Sequence, residues 1–530
     1  MYTAIAFSTA MHNYFKEELM DNENQVHEQQ NVNSDVAVKQ KGGFFGKLVG
    51  LKPDTSIKTE IIAGITTFFA MCYIILVNPN QITGFYRYLG GEVAAIWQAV
   101  YVGTIIAAVI GTLLYAFLAK KPFAQASGMG LNSFFFTSFI LPCAITTPTG
   151  QIIGFDGIAT NYGAGLVIIL ISGLIFLILS ATGLRSLIAK SLPDCLKKAI
   201  PAGIGLFIAF LGFKGSFIVT ANKYTFVQLA DLTKWTVYNE FGELAGGAAP
   251  VLAVFLGFIA IIIFNKLNVK WLKNMSVVLG ILVATVLYYL FTWTAPVIEF
   301  NQIGESFKAF GQYGFSVFKG ESWAAAFDGV TIGSIFSVIV LVITFCLVDM
   351  FDTIGTLYGA SAQAGMLDEN GDPEDIEKDM LCDSVATCAG SMVGTSTVTT
   401  FVESASGVAE GGRTGLTAFT AAMAFLACLF LSPLATIIPA VATAPALIYV
   451  GVLMLRNIKD VDLNDLSSAV PAFLTLILMP LTYSISNGIA VGAIAYVLIR
   501  LFTGKYTKKD IIVTVIALLF IFRFIFVNTL

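Results

Sequence analysis

Long apolar runs, most of them close to twenty residues, recur along the chain from residue 60 to residue 503. A helix rises about 1.5 Å per residue and a bilayer core is about 30 Å thick, so runs of this length cross it as helices. They fall near 60–78, 93–118, 128–141, 161–181, 197–213, 249–265, 275–293, 334–359, 380–394, 401–412, 416–432, 442–456, 468–485 and 487–503. The sequence therefore predicts an all-α polytopic membrane protein with fourteen segments. Composition agrees: 12% of the residues are charged, against about 25% in a soluble domain. Two segments, 128–141 and 401–412, are too short to cross as plain helices. A final run, 511–527, reads as an extra span or an interfacial helix.

Charge in the connections sets the orientation. Lysine and arginine cluster at Lys120–Lys121, Arg185 to Lys198, Lys266 to Lys273, Arg413, Arg456 to Lys459 and Arg500 to Lys509, while 142–160 carries neither. Basic loops stay on the cytoplasmic side, so the N-terminus is expected inside, in a cell membrane. The acidic loop 366–379 shares that side, and acids contribute little to the rule. Residues 1–58 are polar and read as a disordered cytoplasmic tail without a signal-peptide pattern. Seven segments precede the connection at 294–333 and seven follow it, so the second half enters the membrane inverted. The short segment is the third of each half. Matching interrupted segments in inverted repeats mark a transporter's mid-membrane binding site.

Those two segments have unusual chemistry. TSTVTTFV (395–402) is β-branched and aromatic, a strand former. In QASGMGLNSFFF (125–136), Gly128 and Gly130 are expected to break the helix, and Asn132 offers an amide. Extended backbone at membrane depth must be covered by protein or line a cavity. Two such segments would present free backbone groups to a small, flat, polar ligand. Glu403 sits where strand gives way to half-helix, and an intramembrane carboxylate marks function by default. In FCLVDMFDTIGTLYG (345–359), Asp349 and Asp352 stand at i and i+3, with Thr356 continuing that face. Asp352 reads as functional and Asp349 as structural; Asp383 reads as a helix N-cap, and Glu410 as a gating or capping residue. Arg413 lies too far along to pair with Glu403. Thr66, Thr67, Phe68 and Phe69 lie in the first span, where an aromatic could stack on a flat ring.

The same inventory excludes other chemistries. Both histidines, His12 and His27, precede the first span, and the seven cysteines are scattered without metal-ligand spacing. Ser396 or Ser404 would have no membrane histidine or lysine to activate it as a nucleophile. Neither enzyme activity, nor a cofactor, nor a nucleic-acid partner is expected. Proton coupling would have to run through carboxylates, with Asp352 and Glu403 the candidates. A channel would show linear, proton-independent flux.

Four stretches carry a family resemblance: TTFFAMCYIILVNP (66–79), ASGMGLNSFF (126–135), LVDMFDTIGTL (347–357) and GTSTVTTFVESASGVAEGGRTGL (394–416), with TAPALIYVGVLM (443–454) following. In order and spacing they resemble the azaguanine-type purine permeases, the guanine/hypoxanthine/adenine branch of the nucleobase–cation symporters. The resemblance implies a uracil-permease-like fold of two inverted seven-span repeats. A core domain (59–185 and 334–433) would hold the substrate, and a gate domain (186–333 and 434–503) would mediate a homodimer while the core moves as an elevator. It implies base binding by Glu403 and a base or proton contact at Asp352. Backbone near Gly130 and Thr400, with Phe68 or Phe69, would complete the site. Ser127 stands where the family usually has proline, and Cys72 where a small residue is frequent. The expectation is proton-coupled uptake of guanine or hypoxanthine. An adenine permease, or an anion carrier of the same fold, is the alternative.

Overall fold

A computed structural model describes residues 43–146, 152–182, 193–222, 225–238, 244–296, 301–327, 332–368 and 373–526. The expected tail up to residue 42 lies outside them, as does the 183–192 part of one basic loop. From 43 onward the tail is built into the fold: Gly43–Leu48 is helical, Val49 and Leu51 are buried with Leu416, and the Gly415 N–H donates to the Val49 carbonyl at 2.9 Å.

The principal elements, in chain order, are α1 (Ile57–Met71), α2 (Ile74–Ile82), α3 (Gly91–Leu114), β1 (Gln125–Ser127), α4 (Met129–Phe135), α5 (Ile158–Ala181), α6 (Asp194–Gly215), α7 (Ala248–Lys266) and α8 (Ser276–Thr292). They continue as α9 (Ile332–Ala364), α10 (Ile376–Met392), β2 (Val398–Thr400), α11 (Ser404–Ala409), α12 (Gly415–Ala427), α13 (Ala444–Leu455), α14 (Leu466–Leu481), α15 (Ile485–Phe502) and α16 (Ile511–Phe526). Each expected apolar segment coincides with one of these helices or with a pair of them. Seven helical stretches among the described residues are long and apolar enough to cross a membrane by length and composition.

Boundaries moved where local signals compete with tertiary packing. The 33 residues of α9 span roughly 50 Å at 1.5 Å each, well beyond the apolar run 334–359. α10 starts at Ile376 rather than 380, with Asp375 at its N-cap position. Asp383 is therefore interior to a helix, and the N-cap reading fails. Gly130 does not break α4: Gly128 takes extended backbone as N-cap, and Gly130 is the second helical residue.

The helices pack in two groups. α1, α3, α5, α10 and α12 contact one another, and α6 packs against α13 and α14, with α7, α8 and α15 around them. Small residues permit close approach: a Cβ on Gly451 of α13 would stand 2.5 Å from the Gly205 carbonyl of α6.

A polar web anchors the first group. α2 carries Pro79, which lacks an N–H, and a run of buried amides around it. Asn78 donates to Thr104 and Thr395 at 2.7 Å, and the Trp97 indole donates to Asn80 at 2.7 Å. Pairing offsets much of the cost of burying such amides, although Asn78 Oδ1 and Gln81 Nε2 have no hydrogen-bond partner among the described residues.

Candidate functional site

The two short segments meet. β1 and β2 pair antiparallel, with Gln125 opposite Thr400, Ala126 opposite Thr399 and Ser127 opposite Val398. The ladder extends through Gly128 N–H to Thr397 O at 3.0 Å and Phe401 N–H to Ala124 O at 3.1 Å. Pairing removes the cost of non-helical backbone in an apolar setting, which neither three-residue strand could avoid alone. α4 and α11 leave this ladder at its two ends.

Glu403 occupies the N-cap position of α11, where helix N–H groups favour a carboxylate. The Tyr73 hydroxyl, from the turn between α1 and α2, donates to Glu403 Oε1 at 2.5 Å. Tyr73 is 1% exposed, so water cannot replace it readily. Asp352 on α9 and Glu403 border one cavity of about 30 Å³, together with Gly128, Met129, Gly130 and the 399–402 backbone. Across from them lie Ile204 and Ile208 of α6 and Val450 and Met454 of α13. The cavity thus sets two carboxylates in an otherwise mainly apolar lining, at the seam between the two helix groups. That volume admits only water-sized guests and is far below a drug-sized ligand site. A Cβ on Gly130 would stand 2.9 Å from Ile485 Cδ1 and 3.0 Å from Ile204 Cγ2. The seam is closed, and a flat ligand enters only if the groups separate.

Of the residues singled out from sequence, Glu403, Asp352, Thr356, Gly130 and Thr400 border this cavity. Thr356 donates back to the Asp352 and Thr353 carbonyls, at 3.1 and 3.0 Å, and the Thr400 hydroxyl pairs with that of Tyr115 at 2.8 Å. The others stand elsewhere. Asn132 is fully buried, receiving a hydrogen bond from Ser396 and donating to Gln81 at 3.2 Å. Phe68 packs on Phe69 and Phe425 rather than on the cavity. Tyr73 is the first-span aromatic that reaches Glu403. Sequence reading passed it over because its partner is 330 positions away.

Asp349 accepts from Thr387 at 3.0 Å, and Asp383 accepts from Gln125 at 3.1 Å and Thr353 at 2.5 Å. These contacts brace the strand ladder against α9 and α10. Glu410 closes α11 and accepts from Asn274 at 3.4 Å. The Arg413 guanidinium donates to the Val408 and Gly412 carbonyls, at 2.6 and 2.7 Å, capping the end of α11. Glu60 was also missed. It is 1% exposed and accepts the Arg413 and Thr414 backbone N–H groups, at 2.9 and 3.2 Å, and the Thr417 hydroxyl.

Two broken segments paired edge to edge, with carboxylates at their junction inside a multi-helix membrane bundle, are the architecture of a multi-pass membrane transporter. The chain belongs to the Permease family (Xan_ur_permease), whose family model matches residues 58–491. Guanine/hypoxanthine permease PbuG of Bacillus subtilis is 37% identical over 482 residues, covering 89% of this chain and 98% of that protein. Adenine permease AdeP of Escherichia coli is 35% identical over 474 residues, covering 89% and 94%. In three dimensions the chain is similar to the transmembrane domain of the cyanobacterial bicarbonate transporter BicA, with a TM-score of 0.52, 12% identity, and 84% of this chain and 98% of that chain covered. At that identity the likeness concerns the fold.

Proposed function

We propose that this protein is a secondary active transporter that takes up a purine nucleobase with a proton, the base resting between Glu403 and the paired strands. The observation that carries the reading is the Tyr73–Glu403 hydrogen bond at the β2–α11 junction, with Asp352 bordering the same cavity. A carboxylate can accept two parallel N–H bonds from one edge of a planar ligand. Guanine offers N1–H and its 2-amino group on one edge, and hypoxanthine only N1–H. Adenine presents an unprotonated N1, so a charged Glu403 ranks guanine first, while a protonated Glu403 would serve adenine. Relatives of both specificities stand at comparable identity, so this ranking rests on the Glu403 edge. Backbone near Gly130 and Thr400 serves the remaining edges of the base.

A proton shared between Asp352 and Glu403 neutralises the loaded site before it crosses. One charge moved through 100 mV supplies about 2.3 kcal/mol, enough for roughly 50-fold accumulation. The apolar wall of α6 and α13 belongs to a gate domain (186–333 and 434–503), and the strand-bearing part to a core domain (59–185 and 334–433) that moves against it. Fourteen spans in inverted repeats, a cytoplasmic N-terminus and a homodimer through the gate domain complete the picture.

The test is uptake of radiolabelled guanine, hypoxanthine and adenine in cells lacking their own purine carriers, with and without a protonophore, beside Glu403→Gln. Saturable guanine or hypoxanthine uptake that collapses with protonophore and in the variant is the expected result. Absence of any purine uptake by membrane-inserted protein would overturn the reading.

A further inference from the structure

A second, much larger cavity of about 550 Å³ lies between the 84–88 turn, the end of α6, the 436–441 connection and Tyr483. Its size is that of a small-molecule site. It adjoins the Glu403 cavity along α6: Ile208 borders one and Leu211, three residues on, borders the other. It sits beside the start of α3, whereas Lys120–Lys121 follow that helix's end, so it lies at the other end of α3 from these lysines.

Its charged lining residues are Arg87 and Lys214, both cations, with no acid among the lining residues. Neither forms an ion pair with a carboxylate among the described residues. Each is held instead by an aromatic ring. The Arg87 guanidinium lies 4.2 Å from the Trp97 ring centre, and the Lys214 ammonium lies 4.5 Å from that of Tyr483 and donates to its hydroxyl at 3.3 Å. Tyr86, Phe217 and Tyr288 supply further ring surface. Cations fixed on aromatic faces keep their outward sides for a ligand, and rings between them favour a flat one.

We infer that this vestibule is a binding site for planar fused-ring ligands that present a negatively charged or carbonyl-rich edge to Arg87 and Lys214. Its preference is opposite to that of the inner cavity, where carboxylates seek N–H donors. A base would first be met by its carbonyl edge and then pass to Glu403; that natural ligand rests on the purine reading, whereas the site itself does not.

The probe is naphthalene-2-carboxylate, a bicyclic anion with no N–H to offer Glu403, titrated against full-length protein in lipid nanodiscs. Saturable binding is expected, weakened at least tenfold in Arg87→Gln/Lys214→Gln and unchanged in Glu403→Gln. It should also weaken with added salt, and the neutral naphthalene-2-carboxamide should bind at least tenfold more weakly. If the double variant does not fold, Lys214→Gln alone carries the comparison, because Lys214 is exposed to the cavity. No saturable binding, equal binding in the lysine variant, equal binding of the carboxamide, or loss in Glu403→Gln would each overturn the site. Failure of the purine reading shows separately, as absent purine uptake by the unmodified protein.

Discussion

Tyr73→Phe removes one oxygen from the candidate site and keeps the ring. The oxygen lost is the donor to Glu403 Oε1 at 2.5 Å, and the ring is 1% exposed. A hydrogen bond to a charged group contributes about 1.5–3 kcal/mol net. Burial leaves no water to substitute, which favours the upper part of that range. At 1.4 kcal/mol per factor of ten, the expected fall in purine uptake efficiency is roughly 10- to 150-fold. The assay is initial-rate uptake of the best purine at several concentrations, normalised to membrane-inserted protein. Because Tyr73 acts through Glu403, adding Tyr73→Phe to Glu403→Gln should cost little more than Glu403→Gln alone. Kinetic constants within twofold of the unmodified protein would refute the idea that Tyr73 sets the Glu403 carboxylate. Additive effects in the double variant would show that Tyr73 acts on something else.

Further substitutions test the frame around the site. Lys121 and Asp379 form a buried ion pair at 2.6 Å, and Lys121 also donates to the Glu374 carbonyl; Lys121→Met leaves a buried carboxylate unpaired and should cost about 3–5 kcal/mol of stability, seen as a lower melting temperature and partly restored by adding Asp379→Asn. Glu60→Ala strips the acceptor from the Arg413 and Thr414 N–H groups, at about 1–3 kcal/mol for each orphaned donor, and limited proteolysis should show the 410–417 turn loosened. Gly130→Val presses on Ile485 and Ile204 across the seam, so it should disfavour the closed state. Cysteine pairs across that seam, in a background lacking the native cysteines, should then crosslink more slowly. Unchanged crosslinking would mean that the contact does not hold the seam shut.

What the sequence determined by itself follows from short-range physics. Hydropathy over twenty residues placed the helices, since lipid selects for apolar side chains along each crossing segment. The β-branched TSTVTTFV and the glycine before Met129 announced breaks, because propensity is set by neighbouring backbone and side chains. Glu403 and Asp352 stood out because a carboxylate in an apolar run is costly wherever its partner lies. Tertiary structure alone decided which broken segment pairs with which, in what register, and what each acid touches. Tyr73 reaches Glu403 across 330 positions and Lys121 reaches Asp379 across 258. Asp383 looked like a helix start from its neighbours, yet Gln125 and Thr353, from other parts of the chain, supply its hydrogen bonds inside α10. Phe68 and Tyr73, five residues apart and both aromatic, end in different places: Phe68, inside α1, packs on Phe425, whereas Tyr73, in the turn after Met71, carries its hydroxyl to Glu403. Periodicity records which face of a helix is apolar. The identity of the group opposite that face depends on how the helices pack.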